Sequence, residues 1–139
     1  MDDLSLHLLD IAENSIAARA TRIDIVIIED RGEDVLIIRI TDNGIGMDDC
    51  MREKVLDPFF TTKPRKSVGL GLPLLAQAAE ESGGSLTIES GSQEGTEIVA
   101  SFALSNIDRK PLGDMDETMR VLRATHPAIT FSYQYQLRD

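Results

Sequence analysis

Three polar residues near the N-terminus are spaced so that a single helix would bring them together. His7, Asp10 and Asn14 stand three and four residues apart, which places them along one helical face. A carboxylate and an amide oxygen one turn apart can hold Mg²⁺, or a water that the metal or the acid activates. The alternative is an ordinary solvated helix flank, and these residues by themselves do not decide between the two.

A second candidate site follows a predicted strand, where the sequence runs Asp42, Asn43, Gly44, Ile45, Gly46. The glycines can adopt positive φ angles and let a ligand approach the backbone. An ionised carboxylate only accepts hydrogen bonds. A pocket built on Asp42 would therefore hold the exocyclic amine of adenine and disfavour the carbonyl of guanine. The alternative is an Asp-Asn-Gly turn of the kind that closes many hairpins.

A cationic cluster lies in the middle of the chain. Lys63, Arg65 and Lys66 fall within four residues of one another. In a chain with an excess of acidic residues, such a cluster is a local place for a polyphosphate. A solvated loop is the alternative interpretation.

Two further features could contact a nucleotide. Gly69, Leu70 and Gly71 precede a predicted helix, whose first N–H groups and dipole favour an anion. They do not form a dinucleotide fingerprint, because Leu74 stands where the third glycine of G-x-G-x-x-G is needed. Thr96 enters a predicted strand, where its hydroxyl could contact a base edge or simply belong to an ordinary strand.

The hydrophobic pattern supplies the elements that would position these residues. Helical spacing alternates with short runs of β-branched residues, and turn residues separate the runs. The predicted helices cover residues 4–20, 50–56 and 72 to the Gly83–Gly84 pair, and the predicted strands cover 22–29, 35–41, 85–90 and 97–104. Helices mixed with antiparallel strand pairs indicate an α+β fold, with one sheet and helices on one face.

The last 35 residues, 105–139, contain one more helix and one more strand. Asp114 and Glu117 can form a capping box for a helix that ends near Thr125. Apolar and polar residues then alternate, which predicts a strand with one buried face; its apolar members are Ile129, Phe131, Tyr133 and Tyr135. This strand could extend the sheet edge or pair with another subunit.

Composition excludes several classes of protein. The 139 residues include 24 acidic and 14 basic side chains, for a formal net charge of -10. Such a charge argues against binding nucleic acid or an anionic membrane by bulk attraction. The single cysteine, Cys50, excludes an internal disulfide and suits a reducing compartment. The first residues are acidic where a signal peptide is basic, so we expect a cytoplasmic protein.

Five motifs occur in a characteristic order: ENSIAARAT, DNGIGM, DPFFTTK, GLGL and GT. They resemble the ATP-binding GHKL superfamily of gyrase, heat-shock chaperones, histidine kinases and MutL mismatch-repair proteins. The resemblance covers about residues 4–104; the first half is most similar to MutL and the second to histidine kinases. It implies the Bergerat fold, a two-layer α/β sandwich whose mixed, mostly antiparallel sheet has helices on one face. We expect this domain at 1–104 and a dependent C-terminal extension at 105–139.

The resemblance also implies a role for each matching residue. Asn14 would bind Mg²⁺, Asp42 would recognise adenine, and Lys63 would lie in the lid over the phosphates. The other implied nucleotide contacts are Gly44 and Gly46 beside the adenine, Gly69, Leu70 and Gly71 on the phosphate side, and Thr96 near the adenine. Asp10 occupies the position where ATPases of the superfamily have a glutamate general base, and kinase members often have Asn or another polar residue there.

Three functions remain open at this point. The kinase-like lid motifs favour a stand-alone phosphotransferase that acts on a partner. The MutL-like first helix favours a slow ATPase with Asp10 as the general base. The third option is a non-catalytic module that senses ATP. We expect ATP and Mg²⁺ as ligands, a protein partner or phosphoacceptor, and the C-terminal extension as the site of any homodimer; we expect no nucleic acid and no membrane.

Overall fold

The computed structural model describes residues 4–17, 19–45, 71–90, 95–105 and 114–138. Within these ranges the side chains of residues 4–7, 10, 14, 17, 71–74 and 90 are outside the description. The helices are α1 (Leu4–Ala17), α2 (Gly71–Glu81) and α3 (Met115–Thr125). The strands are β1 (Arg22–Asp30), β2 (Val35–Asp42), β3 (Ser85–Ser90), β4 (Thr96–Ala103) and β5 (Thr130–Arg138). The helix predicted at 50–56 lies outside the described residues.

The strands form one mixed, mostly antiparallel sheet in the order β3-β4-β2-β1-β5. Three neighbouring pairs are antiparallel, namely β1 with β2, β2 with β4, and β3 with β4. The fourth pair, β1 with β5, is parallel. The predicted α+β class and the mixed sheet are confirmed.

Side-chain alternation divides the sheet into an inner and an outer face. Leu36, Ile38 and Ile40 of β2 are buried, and they share one core cluster with residues of all three helices; the largest helical members are Leu8, Ile11, Leu75, Met119 and Leu122. Burying each such side chain contributes about 1.5–3 kcal/mol. The helices therefore lie on one face, as predicted. Of the described helices, none is long and apolar enough to cross a bilayer.

Two helices end in the same backbone motif. At the end of α2, Gly83 has a φ of 88°, and the Gly84 N–H donates to the Ala79 carbonyl at 2.8 Å. At the end of α1, Arg19 has a φ of 67°, and the Ala20 N–H donates to the Ser15 carbonyl at 3.1 Å. Both are Schellman motifs. The predicted end of α1 at residue 20 was wrong, because this motif turns the chain out of the helix after Ala17.

The C-terminal extension completes the same core and the same sheet. The Asp114 carboxylate accepts a hydrogen bond from the Glu117 N–H at 2.9 Å, which confirms the predicted cap of α3. β5 extends the sheet edge, and Phe131 is buried. Tyr135, expected on the buried face, is instead 45% exposed. The boundary between domain and extension at residue 104 stays a prediction.

A polar pair joins β5 to β1 at the edge. The Tyr135 hydroxyl donates to the Glu29 carboxylate, which also accepts from the Arg31 guanidinium at 3.0 Å. The bond to Glu29, together with burial, raises the pKa of Tyr135 to about 12. Two hydrogen bonds lower the pKa of Glu29; the larger effect comes from Tyr135 and the smaller from Arg31.

We expect this pair to make stability depend on pH in the alkaline range. The pKa of Tyr135 is about 12 in the folded chain against a model value of 10.0, so folding is favoured while the phenol keeps its proton. This contribution is complete below about pH 10 and is lost as the pH rises towards 12. Tyr135→Phe should therefore show a shallower fall in the free energy of unfolding over that range in urea denaturation. An unchanged slope would contradict the assignment.

Candidate functional site

β2 ends in a carboxylate that faces the helices. Because side chains alternate along a strand, Asp42 continues the inward row of Leu36, Ile38 and Ile40. In the sheet register Asp42 stands opposite Thr96 of β4. The end of the core face thus carries a carboxylate and a hydroxyl residue on adjacent strands.

Both oxygens of the Asp42 carboxylate are held by hydrogen bonds. Oδ2 accepts from the Ser15 hydroxyl of α1 at 2.6 Å, and Oδ1 accepts from the Gly44 N–H at 2.9 Å. A carboxylate has about four acceptor positions, so each oxygen can still accept another donor. The arrangement fits an incoming amine such as that of adenine, and it fixes the orientation of the group that would bind it.

Ser15 is a site residue that the sequence analysis did not identify. It stands seven residues after Leu8 and four after Ile11, on the apolar face of α1, and it is only 4% exposed. A buried hydroxyl needs a hydrogen-bond partner. The available sequence signal was therefore a polar residue on an otherwise apolar helical face. Nothing in the neighbouring sequence identified Asp42 as its hydrogen-bond partner.

Ser15→Ala should weaken ATP binding by roughly three- to tenfold, because Asp42 would lose the donor that orients Oδ2; stability should fall by about 1 kcal/mol. The matched control is Ser82→Ala, since Ser82 is also buried and its hydroxyl donates to Ala79 at the other end of the molecule's core face. The control should lower stability and leave affinity unchanged in calorimetric titrations. Equal affinities for wild type and Ser15→Ala would refute an orienting role.

The loop beyond Asp42 is fastened to the start of β1. The Asn43 side-chain oxygen accepts from the N–H groups of Thr21 and Arg22 at 2.9 and 3.0 Å, and its amide donates to the Thr21 hydroxyl at 2.9 Å. The neighbours of β2 in the sheet are β1 and β4. The alternative that Asp-Asn-Gly closes a hairpin after β2 is therefore wrong.

Gly95 lies where the chain enters β4 beside Asp42. It is buried and has a φ of 81°. A Cβ at this position would stand 2.4 Å from the backbone oxygen of Asp42, closer than real contacts allow. The glycine of the GT motif is thus required by backbone conformation and by close approach.

The other predicted site residues fall into two groups. The backbones of Asp10 and Asn14 belong to α1, as predicted, and their side chains are not described. Gly71 is the first residue of α2, so this helix begins one residue before the predicted start at Leu72. Six predicted positions lie outside the described residues, namely Gly46, Lys63, Arg65, Lys66, Gly69 and Leu70. The structure therefore brings together Asp42, Gly44 and Thr96 with Ser15.

Known proteins resemble this chain in sequence. The model of the family described as "Histidine kinase-, DNA gyrase B-, and HSP90-like ATPase" matches residues 2–106. A provisionally named sensor protein of Shewanella frigidimarina is 33% identical over 111 residues, 77% of this chain. The sensor histidine kinase CitA of Klebsiella pneumoniae is 34% identical over 70 residues, 50% of this chain. The chain spans only 17% and 13% of these two relatives.

A solved structure shares the fold. The N-terminal domain of a DNA repair protein superposes with a TM-score of 0.67 at 19% sequence identity. The match covers 97% of this chain and 49% of the other. Because the match covers nearly the whole chain, the shared architecture includes the C-terminal helix and strand.

Proposed function

Because this chain belongs to the family of histidine kinase-, DNA gyrase B- and HSP90-like ATPases, we propose that it binds Mg²⁺-ATP and transfers the γ-phosphate to a side chain of a separate protein. Family membership confirms the predicted histidine kinase-like ATPase domain and implies ATP binding. The observation that carries the site assignment is the Asp42 carboxylate, which Ser15 and the Gly44 N–H hold at the end of the core face. A histidine kinase among the relatives supports transfer rather than simple binding.

Adenine recognition would rest on the acceptor character of Asp42. The carboxylate would accept the exocyclic amine of adenine, while the carbonyl of guanine would meet an acceptor and be rejected. The position of Thr96 opposite Asp42 supports a second polar contact to the base. The chain is thus proposed to select ATP over GTP.

The phosphate end of the site would be built by residues of α1 and α2. Asn14 directly precedes Ser15 on α1, so one helix would serve both ends of the nucleotide. Among the described residues no group of three or more His, Cys, Asp or Glu could hold a metal ion by itself. Mg²⁺ usually takes one or two protein ligands and shares the substrate phosphates, so Asn14 and the nucleotide together would hold the ion. When bound, the ion would neutralise phosphate charge.

The remaining phosphate contacts are proposed for the segment that leads into α2. Backbone N–H groups at Gly69, Leu70 and Gly71 would bind phosphate oxygens, because the start of a helix has free donors and a favourable dipole. Lys63 would add a cation at the γ-phosphate. These groups would act by position and charge, which is how enzymes stabilise phosphoryl transfer.

Asn14→Ala should weaken ATP binding in the presence of Mg²⁺ by roughly tenfold, the size of effect typical for loss of a metal-site group, and should change metal-free binding much less. Titrations of wild type and variant, each with Mg²⁺ and with a chelator, measure the two losses separately. Equal losses under both conditions would refute a metal role for Asn14.

The experiment that tests the function measures phosphate release at saturating Mg²⁺-ATP. A slow ATPase is the second candidate, favoured by the carboxylate of Asp10 one turn before Asn14 on α1. Release that disappears in Asp10→Asn would establish the ATPase and overturn the transferase. No release with ATP bound, followed by transfer of label from γ-labelled ATP to a protein, would support the transferase. Binding with neither release nor transfer would leave an ATP sensor.

A further inference from the structure

Among the described strands, β5 is an edge strand of the sheet. Its strand neighbour is β1, at one end of the sheet order. The Thr130 N–H donates to the Thr21 carbonyl at 2.9 Å, and the Arg138 carbonyl accepts from the Arg31 N–H at 2.8 Å. Even-numbered residues of β5 thus direct their backbone groups towards β1. Because these directions alternate, the N–H and C=O groups that point to the open edge belong to Phe131, Tyr133, Tyr135 and Leu137.

Within the strand itself, β5 lacks the bulge, proline and lysine that usually protect an edge. Its register with β1 runs unbroken from Thr130 to Arg138, without a bulge. The strand contains no Pro, Lys, Asp or Glu, although the chain as a whole has a net charge of -10. Natural edges commonly carry Lys, Pro or a bulge to prevent pairing with another strand. Among the described side chains, the Arg123 guanidinium donates to the Phe131 carbonyl at 3.4 Å. A carbonyl oxygen can accept a second hydrogen bond, so this contact leaves the carbonyl available.

The strand also has apolar surface that nothing described covers. Tyr135 and Leu137 are 45% and 52% exposed, whereas Phe131, on the same face, is 8% exposed. The alternation is that of a strand with a buried face, but the described residues of one copy cover only its first half.

We propose that two copies of this chain associate by antiparallel pairing of their β5 strands, with the two-fold axis at Gln134. In this register Phe131 stands opposite Leu137 of the second copy, and Tyr133 stands opposite Tyr135. These residues are the ones whose backbone groups point outward, so each pair exchanges both N–H···O bonds. Gln134 stands opposite Gln134 of the second copy at a non-hydrogen-bonded position, because its N–H and C=O groups point towards β1. The two sheets become continuous.

The strand is complementary to itself, which favours a second copy over an unrelated peptide. A two-fold interface needs each residue to suit its symmetric counterpart. The exposed Tyr135 and Leu137 would contact the better-covered Tyr133 and Phe131 of the other copy. Arg138 would stand opposite the uncharged Thr130, so no like charges meet directly across the strands. The association does not depend on nucleotide, and its tests use the protein without ATP.

Cysteine cross-linking tests the register. In a Cys50→Ser background, Gln134→Cys should form a disulfide dimer on mild oxidation, because Cα atoms at a non-hydrogen-bonded antiparallel pair lie about 4.5 Å apart, within disulfide range. Gln136→Cys is the matched control on the same face. Its symmetric counterpart would be four residues along the strand, about 13 Å away, so it should stay reduced. A Gln134→Cys protein that does not cross-link, or a control that cross-links equally, overturns the proposal.

Mass in solution tests the edge pairing independently. Sedimentation of the wild type should give twice the chain mass of 15.3 kDa. Leu137→Pro and Leu137→Ala both remove the leucine side chain, but only proline removes the outward N–H while leaving the bonds to β1 intact. The proline variant should dimerise at least about tenfold more weakly than the alanine variant, since the symmetric bond is lost twice. A monomeric wild type, or equal dimerisation of the two variants, overturns the proposal.

Discussion

Asp42→Asn should reduce ATP affinity by roughly ten- to 150-fold, equivalent to about 1.5–3 kcal/mol, and leave the protein folded. The carboxylate accepts from the Ser15 hydroxyl on one oxygen and from the Gly44 N–H on the other. An asparagine replaces one acceptor with an NH₂ donor. In one orientation the NH₂ group would face the Gly44 N–H, which is also a donor. In the other it would lie on the side of Ser15 and face the adenine amine, again a donor.

Asp24→Asn is the matched control for this change. Asp24 lies in the neighbouring strand β1, where its carboxylate accepts from Ser132 and from Arg22. It faces away from the core face that carries Asp42, so its substitution should leave ATP affinity unchanged. Calorimetric titrations with ATP and GTP measure the affinities of all three proteins. If Asp42→Asn binds ATP as well as the wild type, Asp42 is not the adenine acceptor.

Gly95→Ala should lower the free energy of unfolding by about 2–5 kcal/mol, from backbone strain and overpacking together. The residue has a φ of 81°, and an added Cβ would stand 2.4 Å from the Asp42 carbonyl oxygen. The oxygen belongs to the main chain and the position of a Cβ is fixed by its own backbone, so no side-chain rotation can relieve the contact. The end of β2 must then move, and ATP affinity should fall together with stability.

Gly83→Ala separates these two costs. Gly83 has a φ of 88°, but a Cβ there meets nothing within 4 Å. It should therefore lose only the conformational contribution, about 1–2 kcal/mol, with ATP binding intact. Urea denaturation at equal m-values gives the two differences. Should both variants lose the same stability and both bind ATP normally, the close approach of Gly95 to Asp42 would have no energetic consequence.

The inward position of Asp42 could be predicted from the sequence because strand periodicity is local. Leu36, Ile38 and Ile40 alternate with more exposed residues, and Asp42 continues their row by parity alone. The same argument places Thr96 on the inner face of β4 through Ile98 and Ala100. Neither inference needs to know how the strands pair.

Contacts between distant segments could not be predicted in this way. The hydrogen bond of Ser15 with Asp42 joins residues 27 positions apart, and it depends on how α1 crosses the sheet. The parallel pairing of β5 with β1 depends on which sheet edge is open after the other strands have paired. The left-handed conformation of Arg19 has no sequence signal, since glycine is the residue that usually occupies that position.

The sequence by itself determined the element types, the inward rows of the sheet, the caps of α3 and α2, and the ATPase family. These depend on side-chain periodicity, on local hydrogen bonding and on motif order, which short stretches of chain carry. Only the tertiary structure decided that Ser15 orients Asp42, that Gly95 has no room for a side chain, and that β5 becomes the edge strand beside β1. Each of those facts is set by packing between segments far apart in the chain, where neither periodicity nor local propensity acts.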